Sequence, residues 1–407
     1  MTETKHAADI PPRPPPRLEG MRVLVLFGGE ELYGAERANI EVFRCLAELG
    51  LRAKFITHRT RGAANIQPEL ARLGFEWVTA PFGTQWARWL LGREWYLWFS
   101  NLYGVLATNW RLWRASRAWR ATHLYVMNDT HYSYASLAIK WSRLPLVYRA
   151  GEELSAHNVI YRWNARAITR RVDVMVCNAR YLKDKCTARG VPAERLRVIY
   201  NVPPARAKQG DLKLPPVPPG AAVVTFIGRP EEDKGIYVLL DAAETILHAG
   251  GNLVFWIVGA MIFDEGQIAA MEKRVADAGL QDRIVFFGYQ TNIGQFLART
   301  DIHVCPSLID EPSPNVILEA KQAGVPSVVF PSGGMPELLE HGVDGFVCRD
   351  KTAPALREGI EFFAADAAKR QAAKAAASFS LDTKFSRERY QREWAEVFLT
   401  TKTRRDD

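Results

Sequence analysis

Cysteine is scarce, and its placement excludes two classes. The five residues, at 45, 177, 186, 305 and 348, form neither a CxxC pair nor a zinc spacing. A disulfide scaffold and a zinc module are therefore excluded, and the expectation is reduced, mostly buried thiols in cytoplasm. No apolar run reaches the ~20 residues that a membrane-spanning helix needs. The start of the chain has no charged n-region followed by an apolar h-region, so export by a signal peptide is not expected. It has instead five prolines between Pro11 and Pro16 and almost no apolar pattern, so residues 1–20 read as a disordered tail. No internal repeat is evident, and no DxD-like carboxylate pair stands where it would hold magnesium.

What is present points to two domains. A chain of 407 residues with 48% hydrophobic content exceeds the usual size of a single core. Strand-like runs alternate with helix-like segments, among them Glu36 to Leu49, Tyr237 to Ala249, Gln267 to Ala278 and Ala355 to Ala364. That alternation argues for parallel sheets covered by helices. Prolines 203, 204, 215, 216, 218 and 219 cluster between the halves. The expected division is therefore 21–203, a linker over 204–220, and 221–378.

The most informative stretch is Glu311-Pro-Ser-Pro-Asn-Val-Ile-Leu-Glu319, followed by Ala320 to Pro326. Pro312 and Pro314 suit a turn and a first helical position, so a helix is expected from near Ser313 to Asn315 as far as Gly324. Its first amides lack partners inside the helix and lie at the positive end of the dipole, which favours a phosphate. Glu311 precedes that end and Glu319 lies more than a turn inside. Alone, the two fit equally well as a cap and a solvated helix residue. Upstream, the apolar run Val223 to Ile227 leads into Gly228-Arg229-Pro-Glu-Glu-Asp-Lys234-Gly235. Two cations thus border a loop at the carboxyl end of a strand, where open α/β sheets bind ligands. A diphosphate needs two positive partners, an Arg that forks and a Lys that acts as a point charge.

Ile257-Val-Gly259, Val285 to Gly288, Asp301 to Ser307, Ala323 to Pro326 and Gly333-Gly-Met-Pro-Glu-Leu-Leu-Glu340 to Phe346 follow in order with these motifs. Together they resemble the donor domain of retaining family-four glycosyltransferases of the GT-B fold. The resemblance extends less densely toward the amino end. Arg22 to Phe27 leads into Gly28-Gly29-Glu-Glu-Leu-Tyr-Gly34-Ala-Glu36, while Val174 to Asn178 and Arg197 to Asn201 resemble late strands of the family's first domain. The glycine loop alone fits a ligand-free strand-to-helix turn as well as a phosphate site. The fold expected from the resemblance is α/β, with two Rossmann-like αβα domains facing across a cleft. The segment 379–407, helical and aromatic on one side from Phe379 to Leu399, is expected to return to the first domain.

The resemblance also implies roles. Glu311 would contact the donor sugar, Glu319 the ribose, and Arg229 and Lys234 the diphosphate. Ser313, Asn315 and Val316 would lie near the phosphate or sugar, with Gly29 and Gly34 across the cleft. Fixed cations and oriented amides stabilise the departing nucleoside diphosphate without reorganising, so no metal and no cofactor is expected. Glu311, Arg229 and Lys234 are the catalytic candidates. The histidine that many relatives carry after the strand equivalent to Pro145 to Arg149 is absent. Glu152, Asp129 and His131 are candidates for the acceptor, or are ordinary loop residues.

The formal charge of +8 admits an anionic partner. Seven of the twelve tryptophans, residues 86, 89, 95, 98, 110, 113 and 119, lie within 35 residues alongside Arg88, Arg93, Arg111, Arg114, Arg117 and Arg120, against one acid, Glu94. Indole and guanidinium together suit the headgroup zone of an anionic membrane surface. The alternatives are a helical layer with a solvated face, and stacking on single strands, although no nucleic-acid fold signature accompanies the patch. The reading is a cytoplasmic glycosyltransferase, peripheral on the inner face of the plasma membrane. Its substrates are a nucleotide sugar and a glycan or lipid-linked acceptor of bacterial polysaccharide or lipopolysaccharide assembly. An epimerase of the same fold and a silent membrane scaffold are the alternatives.

Overall fold

The computed structural model describes residues 14–27, 34–58, 66–82, 97–156, 159–204, 214–260 and 265–402. Gly29, Trp86, Trp89, Trp95, Arg88 and Arg93 lie outside the described residues. Among the described residues the chain forms two fully parallel sheets with helices on both faces, as the alternating pattern predicts. The first has seven strands: β1 (Arg22–Phe27), β2 (Arg52–His58), β3 (Glu76–Ala80), β4 (His123–Val126), β5 (Leu146–Ala150), β6 (Val174–Cys177) and β7 (Leu196–Val198), ordered β3-β2-β1-β4-β5-β6-β7. The second has six: β8 (Ala222–Ile227), β9 (Leu253–Val258), β10 (Ile284–Phe286), β11 (Ile302–Cys305), β12 (Ser327–Val329) and β13 (Gly345–Val347), ordered β10-β9-β8-β11-β12-β13.

Strands such as β9, Leu-Val-Phe-Trp-Ile-Val, are buried along their whole length because helices cover both faces of a parallel sheet. In each sheet the strand order reverses beside its first strand, between β1 and β4 and again between β8 and β11. Crevices open at such points beyond the carboxyl ends of the strands. The Arg229–Lys234 loop follows β8, the Glu311 segment follows β11, and Asp129 follows β4.

Among the described residues the α-helices are α1 (Gly34–Ala47), α2 (Ile66–Arg72), α3 (Leu97–Ala118), α4 (Asp129–Ser142), α5 (Val159–Arg171), α6 (Arg180–Ala188), α7 (Ile236–His248), α8 (Glu265–Asp277), α9 (Ile293–Leu297), α10 (Asn315–Ala323), α11 (Ala353–Ala364), α12 (Ala367–Asp382) and α13 (Arg387–Thr400). The helical segment expected from Phe379 to Leu399 is two helices. Phe379 is exposed near the end of α12, Phe385 is buried against Tyr200 (centroids 6.0 Å apart), and Ser386 starts α13 by accepting the Arg389 amide at 3.3 Å. Helix α13 packs on α1. Its Trp394 is buried beside Tyr125, and Arg387 reaches Glu41 (2.8 Å) and Glu48 (2.6 Å).

Candidate functional site

The loop after β8 is set by glycine. Gly235 has φ +76°, and a Cβ there would lie 1.9 Å from the Pro306 carbonyl oxygen; one at Gly259 would lie 1.8 Å from that of Gly228. These close approaches lock the β8 loop against the neighbouring strand ends. On that loop Arg229 pairs with Glu231 at 2.6 Å and lies 3.9 Å from Asp233. Lys234 pairs with Glu311 at 3.1 Å, both side chains partly open to solvent. The structure thus joins a predicted phosphate cation to the predicted sugar-binding carboxylate, and each neutralises the other.

Helix α10 begins at Asn315 behind Pro314, which supplies no side-chain cap, and stops at Gly324 with φ +75°. Ser313 Oγ, buried just before the helix, has no hydrogen-bond partner. An unsatisfied buried hydroxyl beside uncapped amides fits a polar ligand. Asn315 spans the cleft. Its Nδ2 donates to the Gly34 carbonyl at 3.1 Å, and its Oδ1 accepts from Asn201 Nδ2 at 2.9 Å. Asn201 Oδ1 in turn accepts from Arg149 Nη2 at 2.8 Å. Val316 is half-buried in the first turn of α10.

Glu319 opens elsewhere. It lines a cavity of about 1020 Å³ between Arg37 on α1, the Thr291–Gly294 segment that opens α9 and the Val202–Pro204 crossing. Burial pushes its carboxyl up to about 7, opposed by the charge of Arg37. Glu311, Arg229 and Lys234 do not line that cavity, so the two glutamates lie in different regions of the cleft.

Across the cleft, Asn128 caps α4 by accepting the Thr130 amide at 2.7 Å, which places Asp129 in its first turn. Glu152 follows β5. It is accessible yet hemmed in, and desolvation, then the charge of Asp129, raises its carboxyl. These two carboxylates therefore share one region. His131 is buried, its ring 5.1 Å from that of Phe82. Among the described residues no three His, Cys, Asp or Glu converge to hold a metal.

A second surface lies on the outer faces of α3, α4 and α5. Phe99, Leu102, Leu106, Trp110, Trp141 and Trp163 are exposed, Trp163 by 72% and Trp141 by 66%. Arg114 and Arg117 sit over Trp110 and Trp113, at 5.6 and 4.8 Å from the ring centroids. Exposed cations on and just beyond these helices include Arg120, Lys140, Arg143, Arg162, Arg166 and Arg170. Part of the sequence cluster faces inward: Trp119 is buried beneath Lys54, and Arg111 donates to the Thr79 carbonyl. Trp141 and Trp163 escaped sequence reasoning because they lie outside the dense run. No helix among the described residues is long and apolar enough to cross a membrane.

Asn201 and Glu337 stood in the quoted motifs without a role, and Asp310 was missed. A further signal for Asn201 was Arg149, a lone charge in the buried strand β5.

Two family models match: "Glycosyl transferase 4-like domain" over residues 34–202 and "Glycosyl transferases group 1" over residues 213–378. A lipopolysaccharide core biosynthesis glycosyltransferase of Rhizobium meliloti, LpsE, is 30% identical over 220 residues, 54% of this chain and 62% of that protein. The amylovoran biosynthesis glycosyltransferase AmsK of Erwinia amylovora is 29% identical over 186 residues, 44% of each chain. The Bacillus subtilis spore coat protein SA matches over 37% of its length, so the chain spans about two fifths to three fifths of these curated relatives. The structure of Anabaena Alr3699/HepE in complex with UDP-glucose superposes with a TM-score of 0.71 at 21% identity, covering 93% of this chain and 100% of that one. The protein belongs to the group 1 glycosyltransferases of the GT-B fold.

Proposed function

We propose that the protein transfers a sugar from a nucleoside-diphosphate sugar to a glycan or lipid-linked acceptor in the assembly of bacterial surface polysaccharide or lipopolysaccharide. The observation that carries this is the Lys234–Glu311 pair beside the uncapped start of α10 and the unsatisfied hydroxyl of Ser313. The acceptor hydroxyl oxygen bonds to the anomeric carbon, the bond from that carbon to the phosphate oxygen breaks, and the hydroxyl proton passes to the leaving phosphate. Attack on the same face retains configuration. Lys234, Arg229 and the α10 amides stabilise the departing charge without a divalent ion. Asp129 and Glu152 orient the acceptor hydroxyl, with His131 packed behind them. The names of the polysaccharide and lipopolysaccharide relatives support the process, and HepE, which binds UDP and UDP-glucose, supports the donor class.

The exposed aromatic and cationic face of α3 to α5 supports docking on anionic lipid at the cytoplasmic side of the plasma membrane. The test is a screen of UDP-, GDP- and ADP-sugars by melting shift and turnover. Glu311→Gln and Lys234→Ala should lower turnover by about 10²–10³-fold with unchanged melting temperature. Full activity in either variant, or loss of turnover with EDTA, overturns the reading.

A further inference from the structure

Helix α6 starts without a cap of its own. Ala179 stands at its N-cap in extended conformation and offers no side-chain acceptor. The acceptor comes from the other domain. Glu337 receives the Arg180 amide at 2.8 Å on Oε2 and the Tyr181 amide at 2.7 Å on Oε1, and Tyr200 Oη donates to Oε2 at 2.7 Å. A carboxylate at a helix start gains from both the orphan amides and the dipole. Lys384 Nζ donates to the backbone carbonyl of Glu337 at 2.6 Å. Tyr200 and Lys384 stand beside the two places where the chain passes between domains, Val202–Pro204 and Thr383–Ser386. Glu337 is therefore bonded beside both crossings.

The same segment grips the donor loop. Gly334 N donates to the Glu311 carbonyl at 2.9 Å, and Gly333 N donates to Asp310 Oδ1 at 3.1 Å, while Asp310 Oδ2 accepts from Tyr181 Oη at 2.9 Å. A Cβ on Gly334 would meet the Pro312 carbonyl oxygen at 2.1 Å and Ala179 Cβ at 2.7 Å. Gly334 is thus wedged between the donor loop and the start of α6, where no side chain fits. The loop that carries Glu311, the turn that carries Glu337 and the amino end of α6 are one contiguous junction.

We propose that Glu337 is a positioning residue that pins the two domains at their pivot, so that donor binding at Glu311 and the interdomain angle are thermodynamically coupled. The inference rests on the donor-site reading for its second half only. Glutamine cannot replace it, because its amide has one oxygen for two N–H donors and would set an NH2 against the other.

The experiment uses the full chain with spin labels on cysteines introduced at Lys140 and Lys273, the five native thiols being buried. Glu337→Ala and Glu337→Gln should broaden the interdomain distance distribution in the absence of any ligand. With UDP-glucose as probe, KM should rise about tenfold while kcat changes little, a coupling of ordinary size. A179S/E337A separates the pin from a purely local cap, since serine at the N-cap satisfies α6 from within its own domain. That double variant should regain melting temperature but keep the broad distribution and the raised KM. An unchanged distribution in Glu337→Ala, or its full restoration in A179S/E337A, overturns the proposal. A wild type that ignores UDP-glucose bears only on the donor reading, because the distance measurement needs no ligand.

Discussion

Glu319 makes the protein less stable in order to be in place, and that cost is measurable. Its carboxyl is moved by burial from 4.5 to about 7, with Arg37 offsetting only part. At about 1.36 kcal/mol for each tenfold in proton affinity, the displacement corresponds to about 3 kcal/mol, and to about 1–3 kcal/mol once the partial exposure of the residue is counted. The unfolded chain releases this proton near pH 4.5, whereas the folded chain holds it to about pH 7. Between those values the folded state binds more protons, so stability falls as pH rises through the window and is flat above it. Glu319→Gln removes the ionisation and keeps the shape. Its unfolding free energy should match wild type near about pH 4 and exceed it by about 1–3 kcal/mol near about pH 8.5. A gain of that size raises the melting temperature by about 2–4 °C per kcal/mol in a domain of this length. Calorimetry or urea unfolding at the two pH values decides it. A Gln variant that is no more stable than wild type at the higher pH refutes the reasoning. The same variant should lose nucleotide-sugar affinity.

Two further outcomes follow from other sites. Arg162→Ala with Arg166→Ala, on the exposed face of α5, should weaken binding to phosphatidylglycerol vesicles by about 2 kcal/mol, roughly thirtyfold, with no change for uncharged vesicles; co-sedimentation at two salt concentrations checks it. Asp344→Ala should cost about 3–5 kcal/mol in urea unfolding, because Lys321 and Asp344 are both buried and the lysine would lose its charge partner.

The sequence was legible wherever one physical rule acted alone. The helix starting at Asn315 and ending at Gly324 follows from Pro314 and from the need for a left-handed residue at its end. The two parallel sheets follow from long apolar strands alternating with amphipathic helices. Contacts between residues far apart in the chain were not legible. Glu337 and Arg180 are separated by 157 positions, and no spacing rule links them. The tryptophan cluster was half legible for the same reason. Its composition marked a surface, but which rings face out depends on how α3 lies over the sheet, so Trp110 is exposed and Trp119 is buried. Trp141 and Trp163 join that surface only because α4 lies beside α3 and α5 beside α4. At Glu311 and Lys234 the spacing left a cap and a loop charge equally open, the resemblance singled both out, and the structure adds that they touch.

That contact bears on how the site meets its ligand. Arg229 and Lys234 are each held by a carboxylate, Glu231 at 2.6 Å and Glu311 at 3.1 Å. In the proposed reaction a diphosphate would displace carboxylates from cations that are already paired, and its net gain would be smaller than that of an anion meeting bare charge. The two carboxylates differ in use: Glu311 has a sugar to receive in the proposed reaction, and Glu231 has none. Glu231→Gln isolates the competition. An ion pair at an arginine this exposed is worth about 0–1 kcal/mol, so removing the Glu231 charge, with Asp233 still 3.9 Å from Arg229, should tighten UDP binding by at most about fivefold and leave stability nearly unchanged. Titration calorimetry with UDP at low salt reads the difference, and the gain should shrink as salt screens both pairs. Weaker binding in Glu231→Gln would show the opposite logic, with Glu231 aiming the guanidinium at the phosphate instead of competing for it.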